Sequence, residues 1–161
     1  HSAFLMEGRY AMALGRMDQY LYPFYKADME KGIITDEQVV ELLENVFIKL
    51  QDDIVNICIG GQNKNGECEI NPLSYCILRA VGNCNVPGPN LSLRLTENTP
   101  DEFLDECLKT IGTGLGYPAL MNDDVNIAAL KKYGFKGYLK SSGEQYLGDT
   151  IDIEILLFIK A

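Results

Sequence analysis

The stretch Pro87–Phe103, "PGPNLSLRLTENTPDEF", contains two sharp turns with a short straight run between them. Its first four residues hold two prolines around a glycine, a composition typical of a turn. The run "LSLRL" alternates leucines with Ser92 and Arg94 and therefore predicts a β-strand. The following "TPDE" predicts a helix start, with Thr99 as the N-cap and Pro100 at the first helical position. This stretch therefore predicts a strand that leads directly into a capped helix.

The same order recurs on both sides of this stretch. Upstream, Asp53–Ile59 is short and rich in β-branched residues, which predicts a strand. Asn71 followed by Pro72 then predicts a helix start. Downstream, "YPALM" predicts a third strand, and Asn122 is the expected cap of the helix after it. This alternation predicts an α/β fold, in which parallel strands are joined by crossover helices as a sheet or as part of a barrel.

The chain before these strands is predicted to be helical. Apolar residues recur at three- and four-residue spacing over Ala3–Gly32, and Pro23 divides that run into two helical pieces. Thr35, with Gln38 three residues later, forms a capping box for the next helix. The apolar stripe predicted for that helix comprises Val39, Leu42, Leu43, Val46 and Phe47.

Composition excludes several classes of function. The 161-residue chain is long enough for one domain with a hydrophobic core. Its formal net charge is −9, which argues against binding to nucleic acid or to an anionic membrane surface. The longest apolar run, Ile151–Ile159, is too short to span a bilayer and contains Asp152 and Glu154.

Cysteine and histidine usage gives no sign of a metal site or of a nucleophilic relay. The five cysteines include no CxxC pair, so a zinc or iron–sulfur site is not predicted, and we expect each thiol to be a small buried side chain in a reducing cytosol. The one histidine is His1, at the end of the sequence. A Ser-His-Asp or Cys-His relay would therefore lack a base.

Three stretches follow the ends of the predicted strands, where sites collect in α/β sheets: Cys58–Gln62, Arg94–Glu97 and Met121–Asp124. Asn122–Asp124 is compatible with a cation site, with an acid–base pair, or with the charged start of a helix. Arg94 is compatible with a carboxylate clamp or with an ordinary polar position on a strand.

The glycine pair Gly60-Gly61 opens the segment "GGQNKNG" after the first predicted strand. This segment lacks both the GxGxxG spacing and the Gly-Lys-Ser/Thr ending of a phosphate-binding loop. We therefore interpret it as a close-packed turn.

Four separate motifs are more specific than an α/β fold class, because they resemble a particular protein family. They occur in the order "GRMDQYLYPFYKADMEKGIIT", "IGGQNKNGECEINPLSYCIL", "PGPNLSLRLTENTPDEF" and "GLGYPALMNDDVNIAALKKYGF". Together they resemble the core of glycyl radical enzymes, the pyruvate formate-lyase group with its dehydratase and lyase relatives, over about residues 9–135.

The resemblance implies an oxygen-sensitive cytoplasmic enzyme with an α/β barrel built from two half-barrels, of which this segment would form one. In that family a glycine near the C-terminus stores a radical. A partner activase installs it with S-adenosylmethionine and an iron–sulfur cluster. The radical passes to a loop cysteine, whose thiyl form attacks a small-molecule substrate for carbon–carbon cleavage or dehydration. The resemblance also implies a homodimer, and no cofactor is expected to bind to this chain itself.

The sequence departs from that family in its last part. No cysteine follows Cys107, and the glycine loop of the form Arg-Val-x-Gly-Tyr is missing. The expected organisation is therefore a barrel segment over residues 1–135 and a divergent tail over residues 136–161. A truncated segment, or a gene whose reading frame was lost near Phe135, would explain the tail and the start at His1. No catalytic residue is assigned, and the chain is expected to be inactive alone. The alternative is a non-catalytic or degenerate α/β fragment with at most a binding role.

Five residues are expected to border the substrate cavity of a complete enzyme: Ile54, Asn56, Arg94, Asn122 and Asp123. Ile54 is assigned by the resemblance alone, at a position where pyruvate-cleaving members have a tryptophan against the substrate. An aliphatic residue there favours a substrate other than pyruvate, although the similarity still implies a formate acetyltransferase-like protein. The other four residues are assigned from their places at the predicted strands and strand ends.

Overall fold

A computed structural model of the protein describes residues 11–51, 54–63 and 65–133. The strands are β1 (Ala11–Arg16), β2 (Ile54–Gly60), β3 (Asn90–Leu95) and β4 (Ala119–Asn122). The helices are α1 (Met17–Tyr20), α2 (Tyr22–Glu30), α3 (Asp36–Leu50), α4 (Pro72–Cys84), α5 (Asp101–Thr110) and α6 (Asp123–Lys132). A π-helical turn, Ile111–Leu115, continues α5. The predicted tail, residues 136–161, lies outside the described residues.

The strands form one parallel sheet whose spatial order, β1-β2-β3-β4, is also their order along the chain. Helices α3, α4 and α5 lie in the chain between successive strands. The α/β class and the parallel arrangement expected between residues 53 and 121 are therefore confirmed. All four strands also end at the same edge of the sheet, because they run in the same direction.

The first strand corrects the predicted helix over Ala3–Gly32, because Ala11–Arg16 is extended and pairs with β2. The spacing of Met12 and Leu14 fits a strand as well as a helix, and the ladder to Ile54–Cys58 decides between them. Gly15 has φ 68° at an irregularity in this ladder, a conformation that helices do not use. The helical part of the prediction holds for α1 and α2.

Two predicted helix starts are confirmed. Thr35 and Gln38 form the reciprocal hydrogen bonds of a capping box at α3. Asn71 caps α4 and accepts hydrogen bonds from the backbone N–H groups of Leu73 and Ser74. That helix continues to Cys84.

The predicted cap Thr99 is wrong. The residue that flanks α5 is Pro100, which makes no side-chain cap hydrogen bond. Thr99 Oγ1 instead accepts a hydrogen bond from the backbone N–H of Thr96 at 2.9 Å. The hydroxyl therefore closes the turn after β3, and the first turn of α5 is supported by the acidic residues Asp101 and Glu102.

The hydrophobic core lies between the sheet and the helices. Alternate residues of the central strands point into it, among them Ile57, Ile59, Leu91 and Leu93. The stripe predicted for α3 is partly wrong: Val39, Leu43 and Phe47 are buried, whereas Leu42 and Val46 are 59 % and 40 % exposed. The buried stripe is completed by Val40 and Leu50. Among the described residues, no helix is both long enough and apolar enough to cross a membrane.

Candidate functional site

The carboxyl ends of the strands form one edge of the sheet, which we call the carboxyl edge. The register places Gly60 beside Arg94 and Arg94 beside Met121. The segments that follow these strands therefore meet in space, although they are far apart in sequence. Ligand sites in parallel α/β sheets gather at this edge, so it is the candidate functional site.

A buried ion pair joins β3 to the start of α6. Arg94 Nε and Nη2 donate hydrogen bonds to Oδ1 and Oδ2 of Asp123, each at 2.8 Å. Burial acts to lower the pKa of Arg94, but the hydrogen bonds and the charge of Asp123 outweigh it and raise that pKa above its ordinary value. Arg94 is thus a permanent cation that clamps a carboxylate of its own chain.

The turn Gly60–Gln62 is anchored at three successive backbone N–H groups. Gly60 N donates to Asp18 Oδ2 at 2.7 Å, and Gly61 N donates to the carbonyl oxygen of Arg94 at 2.6 Å. Gln62 N donates to Asp123 Oδ2 at 3.3 Å. Each anchor comes from a different neighbouring segment of the chain, so the turn has a single defined position at the carboxyl edge.

Both glycines of this turn are required by close approach. A Cβ on Gly60, where φ is +71°, would lie 2.9 Å from the carbonyl oxygen of Arg94 and 2.9 Å from Leu93 Cδ1. A Cβ on Gly61, where φ is +90°, would lie 3.2 Å from Asp123 Oδ2. The predicted close-packed turn is confirmed, and its N–H groups are already engaged, unlike those of a phosphate-binding loop.

Asp18, the second residue of α1, is the most deeply enclosed acid at the edge. Its Oδ2 accepts hydrogen bonds from Gly60 N and, at 2.6 Å, from the hydroxyl of Ser74, while its Oδ1 is buried without a hydrogen-bond partner. Burial raises the pKa of Asp18 from 3.8 to about 6, although both hydrogen bonds, the charge of Arg16 and the side chain of Gln19 act to lower it. The carboxyl group therefore changes its charge near neutral pH.

Three further contacts tie the end of β1 to the segment that precedes α4. Arg16 Nη2 donates to Glu69 Oε2 at 2.7 Å, and Gln19 Nε2 donates to the carbonyl oxygen of Glu69 at 2.8 Å. Asn71 Nδ2 donates to the carbonyl oxygen of Asp18 at 2.8 Å. These contacts hold the N-terminus of α4 against the end of β1 and against α1, and thereby fix Ser74 beside Asp18.

The face of the sheet opposite the core, which we call the inner face, carries buried polar side chains: Asn56, Cys58, Ser92 and Arg94. Asn56 Oδ1 accepts a hydrogen bond from Asn90 Nδ2 at 3.1 Å, and Asn90 accepts one in turn from the hydroxyl of Tyr117. Burial raises the pKa of the Cys58 thiol to about 12. This thiol is therefore neutral at ordinary pH.

The structure brings together some of the predicted site residues and separates others. Arg94 and Asp123 are paired at the carboxyl edge, whereas Asn56 lies further back on the inner face. Asn122 is the N-cap of α6 and accepts a hydrogen bond from Val125 N. Ile54 begins β2, at the end of the strand opposite Gly60. Asp124, in the same acidic stretch, accepts a hydrogen bond from Glu97 N at 2.8 Å.

Sequence reasoning did not select Asp18, Ser74 or Glu69. A signal for each was present, because Asp18 lies within "GRMDQYLYPFYKADMEKGIIT", and Ser74 and Glu69 lie within "IGGQNKNGECEINPLSYCIL". These are two of the four motifs that carry the family resemblance. A polar residue inside such a motif, next to a predicted helix start, is the pattern that could have identified them.

An open groove of about 450 Å³ lies on the helical side of the fold. Its lining includes Asp36 at the start of α3, Asn71 and Arg79 on α4, and Glu106 on α5. Asp36 already accepts a hydrogen bond from the hydroxyl of Tyr25 at 2.6 Å. The groove is separate from the Arg94–Asp123 pair, which does not line it.

A parallel sheet whose strands are joined by crossover helices, with a buried ion pair and an anchored turn at its carboxyl edge, is an α/β architecture, in which ligand sites gather at that edge. The chain belongs to the pyruvate formate lyase-like family, whose model matches residues 1–147. The expected resemblance to glycyl radical enzymes is confirmed, and the described sheet corresponds to part of their barrel.

Three similar proteins illustrate this membership. The chain is 36 % identical over 144 residues to the 4-hydroxyphenylacetate decarboxylase glycyl radical subunit of Clostridium scatologenes, covering 78 % of this chain and 16 % of that protein. It is 35 % identical over 148 residues to the probable dehydratase YbiW of Escherichia coli (strain K12), covering 79 % and 18 %. A solved structure on 1,2-propanediol dehydration in Roseburia inulinivorans matches with a TM-score of 0.72 and 30 % identity, covering 77 % and 18 %. The chain thus spans less than a fifth of each relative's length.

Proposed function

We propose that this chain supplies part of the catalytic barrel of a glycyl radical lyase or dehydratase, and that its carboxyl edge borders the substrate cavity. The family match over residues 1–147 carries this proposal. The probable dehydratase from Escherichia coli and the structure on 1,2-propanediol dehydration support a small, hydroxylated substrate. A formate acetyltransferase-like activity is an alternative, and Ile54 argues against it because pyruvate-cleaving members of the family have a tryptophan at this position.

The proposed cavity wall comprises Arg94, Asn122 and Asp123 at the carboxyl edge, Asn56 on the inner face, and Ile54 at the start of β2, the end of that strand opposite Gly60. Arg94 and Asp123 act as one neutral unit, since the cation and the carboxylate are paired at 2.8 Å. A neutral pair attracts an anionic substrate less strongly than a free arginine would. This pairing supports the choice of an uncharged hydroxylated substrate over a carboxylate such as pyruvate. Asn56 offers the substrate its Nδ2 amino group as a donor, because its Oδ1 already accepts a hydrogen bond from Asn90.

We also propose that the 161-residue polypeptide is inactive alone. Thiyl chemistry requires a cysteine close to both the substrate and the stored radical, because proximity and orientation supply much of the rate. Cys58 lies on β2, two residues before Gly60, and it is only 2 % exposed. No cysteine follows Cys107 in the sequence, and no glycine loop of the family's form is present.

The radical, its activase, the oligomeric state and the cellular location are proposed from the family resemblance. A glycyl radical, installed by an activase that uses S-adenosylmethionine, would be held by a complete enzyme, which is proposed to be a cytoplasmic homodimer in an anaerobic organism. The described chain would contribute the wall of the cavity in such an enzyme. Its own residues would orient the substrate, and the radical would be stored elsewhere.

A segment exchange tests the proposal. Residues 11–133 replace the matching segment of the Roseburia inulinivorans protein, which is then activated anaerobically and assayed for dehydration of 1,2-propanediol. The proposal expects measurable turnover, and it expects Arg94→Met in the exchanged segment to reduce kcat/KM at least 10-fold. The matched control is Arg79→Met on the exposed side of α4, which should leave kcat/KM within about 2-fold. An exchanged protein that carries the glycyl radical signal in electron paramagnetic resonance but shows no turnover would contradict it.

The isolated polypeptide provides the second arm. It is incubated anaerobically with a family activase and S-adenosylmethionine, beside the intact Clostridium scatologenes subunit and its own activase as a positive control. We expect a glycyl doublet from the intact subunit only. A doublet from the 161-residue chain would overturn the proposal that it is inactive alone.

A further inference from the structure

The carboxyl group of Asp18 is hydrogen-bonded to the turn Gly60–Gln62. The Asp18 side chain is fully buried, and its Oδ2 holds both the backbone N–H of Gly60 and the hydroxyl of Ser74. Oδ1 has no hydrogen-bond partner in the described part of the chain. A buried carboxylate oxygen without a donor is costly, and a protonated carboxyl group in the same place costs less, because it carries no charge.

The charged groups around Asp18 do not remove this cost. On β1, Arg16 acts to lower the pKa of Asp18, but it is paired with Glu69 of the segment before α4 at 2.7 Å. On β2, the Cys58 thiol is neutral, because burial raises its pKa to about 12. Helix α4 contributes the uncharged hydroxyl of Ser74. The Arg94–Asp123 pair beyond the turn is internally neutralised.

We propose that Asp18 is a proton-linked latch on the turn Gly60–Gln62. The neutral carboxyl group stays buried between β2 and α4 and holds the turn closed. The ionised group draws water, and the turn opens. The direction follows from linkage, since the state that binds the proton more tightly is favoured at low pH. The buried, closed state is that state, because burial raises the pKa of Asp18 to about 6, whereas a hydrated carboxyl group keeps its ordinary value of 3.8.

The latch acts on the candidate site through the neighbours of the turn. Gly61 and Gln62 are hydrogen-bonded to Arg94 and Asp123, so an open turn releases two anchors of the carboxyl edge. The latch itself is independent of the proposed function. Only its consequence, a substrate cavity whose wall changes shape with pH, rests on that function.

Amide hydrogen exchange of the 161-residue chain, resolved for Gly60, Gly61 and Gln62, tests the latch. After correction for the intrinsic pH dependence of exchange, protection of these amides should fall between pH 4 and pH 6 and level off above pH 6. With pKa values of 3.8 in the open state and about 6 in the closed state, the largest possible change in amide protection is on the order of 100-fold. Helix α3, which supplies none of the hydrogen-bond partners of Asp18, should show no such change.

Three variants make the test specific. Asp18→Asn resembles the neutral carboxyl group, so its turn protection should be high and independent of pH. Asp105→Asn, which removes an exposed carboxyl group on α5, should keep the profile of the parent chain. Ser74→Ala removes a hydrogen bond that lowers the pKa of Asp18. The pH above which amide protection stops falling should therefore be higher in this variant.

The latch is overturned by a flat profile in the parent chain or by a slope that persists in Asp18→Asn. Turn amides without protection at every pH, or the same slope in α3, would overturn it as well, because the effect would then not be local. These results leave the segment-exchange assay untouched. The latch and the proposed function can therefore fail separately.

Discussion

Asp123 forms with Arg94 the most deeply buried ion pair among the residues that the structure describes, with side chains that are 2 % and 8 % exposed. The same carboxylate accepts the N–H of Gln62. One acidic side chain therefore connects the turn after β2, strand β3 and the start of α6. Its removal affects three segments at once.

The variant Asp123→Asn keeps the shape of the side chain and removes its charge, which leaves Arg94 as a buried cation without a counter-ion. Breaking a buried pair in this way typically costs about 3 kcal/mol or more. We expect a loss of that size in the free energy of unfolding, measured in urea at pH 7. Glu30→Gln is the control, because Glu30 pairs with Lys26 at 4.0 Å on an exposed surface, where a pair contributes less than about 1 kcal/mol. Equal losses in the two variants would show that burial of the pair is not what stabilises it.

Asp18→Asn should stabilise the protein at neutral pH. The pKa of Asp18 is raised from 3.8 to about 6, so the stability contributed by this group is complete below pH 3.8 and is lost as the pH rises through 6. A shift of this size corresponds to about 3 kcal/mol as an upper limit. Asparagine cannot ionise, so the free energy of unfolding of Asp18→Asn should exceed that of the parent chain at pH 7 and approach it at pH 4. A variant that is less stable than the parent at pH 7 would refute this account.

Gly60→Ala should be strongly destabilising, because it combines a positive φ with a collision. The added Cβ would meet the backbone oxygen of Arg94 at 2.9 Å, and that atom belongs to the sheet and cannot move freely. Gly32→Ala separates the two effects, since φ is +66° there and no atom lies within 4 Å. We expect about 1 kcal/mol for Gly32→Ala and at least about 3 kcal/mol for Gly60→Ala in thermal or urea unfolding. Similar losses would mean that the turn is not close-packed in solution.

The thiols should differ in their rates of alkylation. Burial raises the pKa of Cys58 and of Cys107 to about 12, so at pH 8 only about one molecule in 10⁴ carries a thiolate at either position. Cys68 lies in the turn-rich segment after β2 and is partly exposed. Iodoacetamide should therefore label Cys68 first, and it should reach Cys58 and Cys107 only in urea. Rapid labelling of Cys58 in the folded chain would contradict its burial on the inner face.

Local chemistry explains which parts of the fold could be predicted. Thr35 with Gln38, and Asn71 with Pro72, specify helix starts through contacts within four residues, so the sequence alone reveals them. The run of β-branched residues before Gly60 marks β2 in the same way. Strand β1 could not be recognised, because Met12 and Leu14 satisfy two periodicities and only the ladder to β2 selects one of them.

The candidate site was predictable where the chain order places residues at strand ends, as with Arg94 and Asp123. The pairing of Arg94 with Asp123 could not be predicted. A carboxylate clamp and an ordinary polar position on a strand were both compatible with Arg94, and neither identified Asp123 as its partner. Asp18 depends on Gly60 and Ser74, which are 42 and 56 residues away. Residues so far apart in the sequence form no recognisable motif, so their contact can be seen only in the folded structure.

Each strand of the sheet pairs with the strand that precedes it in the chain. A nascent chain can therefore add β2 to β1, β3 to β2 and β4 to β3 without waiting for a distant segment to be made. Pairing between strands that are neighbours in the chain also keeps the entropic cost of closing each loop lower than pairing with a more distant segment would. Each strand can therefore pair with the strand before it as soon as it has been translated. The topology is compatible with cotranslational folding of the sheet.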